Sequence, residues 1–386
     1  MKRRVFAVCL ALTLSLTTTA AVQAQALQPP EVAAKSYLLL DMTSRQVLAA
    51  REPDAAADPA SLTKLMTAYV VFGAIREKKL SREQLLPVSV RAWDERKGGA
   101  SVMFIEPRMQ VSVDDLLKGM IVVSGNDASV ALAEGVAGSV ENFVVLMNRE
   151  AQRMGLKKTV FKNVTGITEP GHVTTARDLA TLASHIITDF PEFYPLYSLR
   201  EFKFNNITQP NRNLLLRRDP SVDGMKTGHT ASAGYCLVAS AQRDLPNGKR
   251  RLLSVVLNTS SMETRANESQ KLLNWGYGAF DTLKLFEPGK PIATPQVWKG
   301  ESSEVKLGSA QPIFVTVPKG DADKIKTQIE RVDPLVAPLT KGQAVGKLKV
   351  TSGNTVVAEA PLVVLEPVEE SGIFGRAWDA IRLWIK

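Results

Sequence analysis

Three short runs carry residue types suited to nucleophilic chemistry. In SLTKLMTAYVVFGAI (61–75), Ser61 stands three residues before Lys64. Leu62, Leu65, Met66, Tyr69 and Val70 recur at helical spacing, and the other face is apolar or small. The segment therefore reads as a helix buried nearly all round, with Pro59 suited to its start. Residues three apart on a helix share a face, about 60° apart. A lone lysine there is costly unless paired or neutral, and burial or a second cation lowers its pKa. A neutral lysine beside a serine can take the hydroxyl proton and leave an activated nucleophile. Taken alone, the pattern is short and common, and a lysine reaching to solvent beside a serine cap is its simpler explanation.

The second run is VVSGNDAS (122–129), with Ser124-Gly125-Asn126 between the apolar stretches LLKGMIVV and NDASVALAEGVAG. It reads as a helix–helix connection that either caps a helix or points a hydroxyl and an amide into a cleft. The tripeptide recurs at Ser352-Gly353-Asn354 between two alternating β runs, where a hairpin turn accounts for it. The third run is VDGMKTGHTASAGY (222–235), where Lys226-Thr227-Gly228 precedes an apolar strand pattern. Gly228 permits close approach of backbone and substrate. Lys226 is a candidate second cation that keeps Lys64 neutral and attracts a carboxylate. His229 reads as a cleft-wall residue, and His172 and His185 lack metal-ligand spacing. Sixty-three residues separate Ser61 from Ser124, and 102 separate Ser124 from Lys226. In this order, the three runs form a set used by serine acyl-transfer enzymes.

The elements that must position these runs predict an α+β fold. Strands are expected at 37–50 around Thr43-Ser44. Helices follow at 59–75, 112–121, 127–137, 141–156 and 175–190. GYCLVASAQRD and RRLLSVVLNTS pair around Pro246-Asn247-Gly248, and a helix follows at 266–281. The Pro/Gly-rich connector EPGKPIATPQVW leads into strand-like patterns, so a small all-β sandwich domain is expected over 286–366. The catalytic unit is expected over 27–285, an antiparallel sheet with helices on both sides. The last segment, 367–386, contains SGIFGRAWDAIRLWIK, with an apolar stripe at 373, 374, 377, 378, 381, 384 and 385. That helix, about 24 Å long, is interrupted by charge and reads as an amphipathic membrane-surface helix with Trp378 and Trp384 at the interface.

Lys2, Arg3 and Arg4 precede VFAVCLALTLSL and a run of small residues, the pattern of a secretory signal over 1–26 ending at Ala24-Gln25-Ala26. Its removal takes three positive charges and no acid from a formal +9, leaving +6. The charge is spread out, with no dense basic run and interleaved aromatics, which argues against nucleic acid as a partner. Cys9 leaves with the signal. Cys236, in the apolar run GYCLVAS, reads as a buried inert thiol.

With its flanks DPASLTKLMTAYV, LLKGMIVVSGNDASVALAE, SVDGMKTGHTASAGY and ESQKLLNWGYGAFD, the chain resembles the low-molecular-mass penicillin-binding proteins, specifically the periplasmic serine-type D-alanyl-D-alanine carboxypeptidases. The resemblance covers essentially everything after the signal. It implies a penicillin-binding-protein/β-lactamase-like domain, with Ser61 as nucleophile, Lys64 as general base and Ser124 as proton relay. Asn126 would hold the substrate amide, and Lys226, Thr227 and Gly228 would form the strand edge along which substrate lies. The Ser61 N–H would give part of an oxyanion hole, with the other donor on that strand. Arg265 matches the arginine that pairs with the substrate's terminal carboxylate; without the resemblance it reads as a surface arginine at a helix start. The implied partners are peptidoglycan stem peptides, β-lactam antibiotics and the outer face of the inner membrane, with no cofactor or metal. Thr165 stands where some relatives carry histidine, which leaves open the helpers around the deacylating water. The alternatives are a serine β-lactamase, a DD-endopeptidase and a non-catalytic wall-binding protein. Residues 290–386 argue against the first two, and the complete set of core residues argues against the third.

Overall fold

The computed structural model describes residues 27–245 and 248–385, so the expected signal and Pro246-Asn247 lie outside it. The N-terminal half opens with strands β1 (Ser36–Asp41) and β2 (Gln46–Arg51). Then come helices α1 (Lys64–Arg76), α2 (Val113–Val122), α3 (Asn126–Ala137), α4 (Val140–Arg153) and α5 (Ala176–Asp189). Strands β3 (Val222–Thr230), β4 (Gly234–Leu245) and β5 (Gly248–Thr259) and helix α6 (Met262–Ala279) complete it. The strands form one antiparallel sheet in the order β2-β1-β5-β4-β3, so β3 is an edge strand.

Period-2 alternation gives the sheet two apolar faces. Leu38, Cys236, Val238, Leu253 and Val255 join the core with α1, α2, α3 and α5. Tyr37, Leu39, Leu237, Ala239, Leu252 and Val256 face the other way, against Ala266, Leu272 and Leu273 of α6. Asn258 N donates to Cys236 Sγ at 3.4 Å, and burial pushes the thiol up to about 11, so it is a poor nucleophile. Helix α6 starts four residues before its expected onset because Ser261 caps it, accepting from Thr264 N at 3.0 Å. Arg265 therefore sits in its first turn.

The rest of the chain is β-rich. Strand β6 (Phe280–Phe286) runs across the junction expected at 285–286. It pairs with β9 (Ile313–Pro318), which follows β7 (Pro291–Ala293) and β8 (Leu307–Gly308). With β10 (Ile325–Arg331), β11 (Ala344–Ser352) and β12 (Thr355–Val364), a second five-stranded sheet forms in the order β7-β8-β12-β11-β10. Ser352 pairs with Thr355 around Gly353, whose φ is 57°, so the second Ser-Gly-Asn is a tight hairpin turn.

A buried polar knot joins the two halves. Asp41 Oδ2, at the end of β1, accepts from Arg250 Nε at 2.8 Å, Thr282 Oγ1 at 2.9 Å and Thr316 Oγ1 at 2.8 Å. Helix α7 (Ile373–Ile385) ends the described chain. Its Asp379 accepts from Lys299 N at 2.7 Å and its Arg382 lies over Trp298, while Phe374 and Trp384 are 91% and 89% exposed. Among the described residues no single helix is long and apolar enough to cross a membrane.

Candidate active site

Ser61 lies not in the α-helix but in a 3-10 turn, Ala60–Thr63, that runs into α1. At three residues per turn, positions i and i+3 eclipse. Ser61 and Lys64 therefore face each other more directly than the 60° of an α-helix, with Lys64 Nζ 3.0 Å from Ser61 Oγ. Asp58 braces the turn by accepting from Ala60 N at 3.0 Å. Two glycines let neighbouring backbone press on it. A Cβ on Gly166 (φ 89°) would fall 1.8 Å from Ala60 O, and one on Gly228 would come within 3.2 Å of Pro59 O and Leu62 Cγ. The close approach expected at Gly228 is thus made by the turn that carries Ser61.

Lys64 is 1% exposed, and its ammonium has three partners: Ser61 Oγ, Asn126 Oδ1 at 2.7 Å and Thr165 O at 2.6 Å. An amide oxygen and a backbone carbonyl can only accept. Ser61 is the one partner able to give Lys64 a proton. Burial lowers Lys64 to about 7; the Arg212 charge adds to that shift and Glu95 opposes it. The depression expected from Lys226 runs instead in the other direction. Lys226 is held well below its ordinary value, first by burial and then by the Lys64 charge.

The first Ser-Gly-Asn joins α2 to α3. Ser124 adopts φ 65°, a left-handed backbone for a non-glycine residue. Its hydroxyl makes no helix cap; it accepts from Lys226 Nζ at 2.8 Å. Asn126 is fixed at both ends. Its side chain accepts from Lys64, and its backbone N–H donates to Ser101 O at 2.7 Å, which ties the start of α3 to the loop that walls the cleft. Asp127 holds the same loop, accepting from Met103 N at 3.0 Å, and also accepts from Ala128 N at 2.8 Å.

On β3, Lys226 and Thr227 are buried and His229 is exposed, its ring stacked on Tyr235 at 4.0 Å. Arg265, 3% exposed, donates from Nη1 to Gly228 O at 3.1 Å, and burial lowers it to about 10. It lies inside the protein, not on the surface. Ser61, Ser124, Asn126, Thr227, Gly228, His229 and Arg265 all line one cleft of about 860 Å³, with Thr165 and Arg212. Lys64 and Lys226 stand behind Ser61 and Ser124, bonded to their hydroxyls. His172 is elsewhere, buried with Nε2 2.8 Å from Thr63 Oγ1, and His185 pairs with Asp189 at 2.9 Å.

The sequence reading missed Arg212 and the Thr165 carbonyl. Arg212 lies in the turn-forming run Asn211-Arg212-Asn213, and Asn213 Nδ2 anchors that run to Gly224 O of β3 at 3.0 Å. The two flanking asparagines were the available signal. A main-chain carbonyl such as that of Thr165 leaves no trace in residue type.

A serine hydroxyl bonded to a buried lysine, with a second serine–lysine pair on a sheet edge, is the arrangement of a serine acyl-transfer enzyme of the penicillin-binding class. Residues 23–261 match the family model for D-alanyl-D-alanine carboxypeptidase, and residues 280–370 match that for the C-terminal domain of penicillin-binding protein 5. The chain is 45% identical over 360 residues to the D-alanyl-D-alanine carboxypeptidase DacA of Haemophilus influenzae, covering 93% of this chain and 91% of that one. The crystal structure of penicillin-binding protein 5 from the same organism superposes with a TM-score of 0.85 at 44% identity, over 89% of this chain and 100% of that one. Penicillin-binding protein D2 of Listeria monocytogenes, solved in its ampicillin-bound form, aligns at a TM-score of 0.58 and 30% identity over 65% of this chain and 100% of that one. The chain belongs to the D-alanyl-D-alanine carboxypeptidase family of low-molecular-mass penicillin-binding proteins.

Proposed function

We propose that the chain removes the terminal D-alanine from peptidoglycan stem pentapeptides through an acyl-enzyme on Ser61. The observation that carries this is the set of partners around Lys64, in which Ser61 alone can donate a proton. Neutral Lys64 takes the Ser61 proton as Oγ attacks the carbonyl between the two D-alanines. The Ser61 N–H and a donor on β3 receive the oxyanion. Ser124, held by Lys226, relays a proton to the leaving amine. Asn126 holds the substrate amide, and substrate lies along Lys226, Thr227 and Gly228 beside His229. Arg265 meets the free carboxylate, which favours a C-terminal substrate. Water then attacks the ester, releases the shortened peptide and restores Ser61. Penicillins enter the same cleft, acylate Ser61 and leave slowly, a reading supported by the ampicillin-bound relative.

The reading extends to location. Residues 1–26 direct export and are removed, and the mature protein sits in the periplasm against the outer face of the inner membrane. Helix α7 supports this, since its polar side is tied to Lys299 and Trp298 while its aromatic side is exposed. The catalytic unit spans 27–285, the β domain 286–366 and the surface segment 367–386.

The test is D-alanine release from diacetyl-Lys-D-Ala-D-Ala, with penicillin turnover measured in parallel. Steady release with slow penicillin turnover is expected. Fast penicillin turnover without release would identify a β-lactamase instead, and neither activity would leave a wall-binding role.

A further inference from the structure

Asp58 stands three residues before Ser61 and does not line the cleft, yet three segments of the chain meet on its carboxylate. Oδ1 accepts from Ala60 N at 3.0 Å, within the turn that carries Ser61. Oδ2 accepts from Thr168 Oγ1 at 2.6 Å, from Thr230 Oγ1 at 3.4 Å and from Ser232 Oγ. These three partners lie 110, 172 and 174 positions further along the chain. Their hydroxyls also meet one another, with Thr168 Oγ1 3.2 Å from Thr230 Oγ1 and 3.3 Å from Ser232 Oγ. A carboxylate offers about four acceptor sites, and four donors take them here. Burial pushes the Asp58 carboxyl up, but the bonds from Ser232, Thr168 and Ala60 outweigh it and hold it below the ordinary carboxylate value. Near neutral pH the side chain is therefore ionised and can only accept.

Each segment carries a part of the catalytic centre. Ala60 holds φ 45°, a left-handed backbone that a non-glycine residue keeps only where its surroundings enforce it, and Ser61 follows directly. Thr168 ends the run Thr165-Gly166-Ile167-Thr168, in which the Thr165 carbonyl accepts from Lys64 Nζ at 2.6 Å and Gly166 lies against Ala60 O. Thr230 ends β3, the strand of Lys226, Thr227 and Gly228, and Ser232 lies in its connection to β4. One oxygen of Asp58 thus holds the turn of the nucleophile, and the other holds two walls of the cleft.

We infer that Asp58 is a positioning residue of the catalytic centre: its carboxylate fixes the backbone at Ala60, and with it Ser61 Oγ, against the segment that aims the Thr165 carbonyl at Lys64. Among the described residues it makes no hydrogen bond to Ser61 or Lys64, and it acts on them through Ala60 and Thr168. Without the carboxylate, the left-handed turn loses a restraint and the Thr165–Thr168 run loses its tie to that turn. The groups proposed to hold substrate, Asn126 and Arg265, have other partners in Lys64 and the Gly228 carbonyl. The loss therefore falls on the chemical step more than on capture.

The inference rests on Ser61 being the acylated residue, so its test reads acylation directly. The limiting rate of acylation by a fluorescent penicillin, and the concentration that gives half of it, are measured by stopped flow for the unaltered chain, Asp58→Ala and Asp58→Asn. Ala removes every one of these bonds. Asn keeps the shape, an oxygen for Ala60 N and an amide from which the hydroxyls can accept. In Asp58→Ala the limiting rate is expected to fall about hundredfold, the scale of a misplaced reacting group, with the half-saturating concentration little changed. Asp58→Asn should recover most of that loss. A purely structural brace would lower the urea midpoint and leave the limiting rate of the folded protein in place, and that result overturns the inference. So does a loss confined to the half-saturating concentration, or an Asn variant as slow as the Ala variant. If Asp58→Ala does not fold, Thr168→Val decides, since it removes one tie and keeps the shape: a slower limiting rate is expected, and an unchanged one is contrary. D-alanine release by the unaltered protein is followed alongside. Acylation without release would overturn the carboxypeptidase reading and leave the Asp58 test intact.

Discussion

At the scale of residues, the centre depends on a lysine that is buried but never isolated. Its three contacts suit either protonation state: as ammonium it donates to all three, and as amine it donates to Asn126 Oδ1 and Thr165 O while accepting from Ser61. Burial brings Lys64 to about 7. Below that pH the ammonium has no lone pair to take the Ser61 proton, and above it the amine has one. The acylation rate is therefore expected to fall about tenfold per unit as pH drops well below 7, as protonation of a single base requires. A pH profile of penicillin acylation checks this, and a flat profile from about pH 5 to 8 would contradict it. Ser61, Lys64 and Ser124 were legible as residues because reactive side chains recur in short spacings. Arg212 was not, since its place in the cleft is set by the fold and not by its neighbours in sequence.

At the scale of elements, the site is a meeting of a 3-10 turn, a helix–helix connection and an edge strand. The alternation of β4 and β5 and the apolar surround of α1 were readable because each follows from side-chain periodicity. The switch from 3-10 to α geometry at Lys64 was not readable, because both helices share an apolar spacing over so short a stretch. Nor was the early start of α6, which a serine cap decides. The Asp41 knot shows the same limit, since it joins β1, β5, β6 and β9 through residues up to 275 positions apart. Asp41→Ala would leave Arg250, which is 1% exposed, without its carboxylate. Removing one partner of a buried ion pair costs about 3–5 kcal/mol. Urea unfolding of the variant should show a loss of that order, and a loss below about 1 kcal/mol, the scale of an exposed pair, would contradict the role given to the knot.

At the scale of the whole molecule, the cleft and helix α7 belong to different parts of the chain. The cleft is built by the N-terminal sheet and its helices, whereas α7 is held by Lys299 and Trp298 of the β-rich half. On the location proposed above, deleting residues 371–386 should move the protein from the membrane fraction to the soluble periplasm with D-alanine release intact. Fractionation and the peptide assay check both parts, and loss of activity in the soluble form would contradict the separation. The two-part architecture was legible in the sequence from the Pro/Gly-rich connector and the change to strand patterns beyond it. The polar joint between the parts was not, because threonine is ordinary within a strand and aspartate at the end of one.

The nucleophile is decided by the mass of the whole chain after treatment with penicillin, followed by peptide mapping. One covalent adduct per chain, located on Ser61 and absent from Ser61→Ala, is the predicted result. An adduct that persists in Ser61→Ala, or one that maps to another residue, would contradict the assignment of Ser61 and the mechanism built on it.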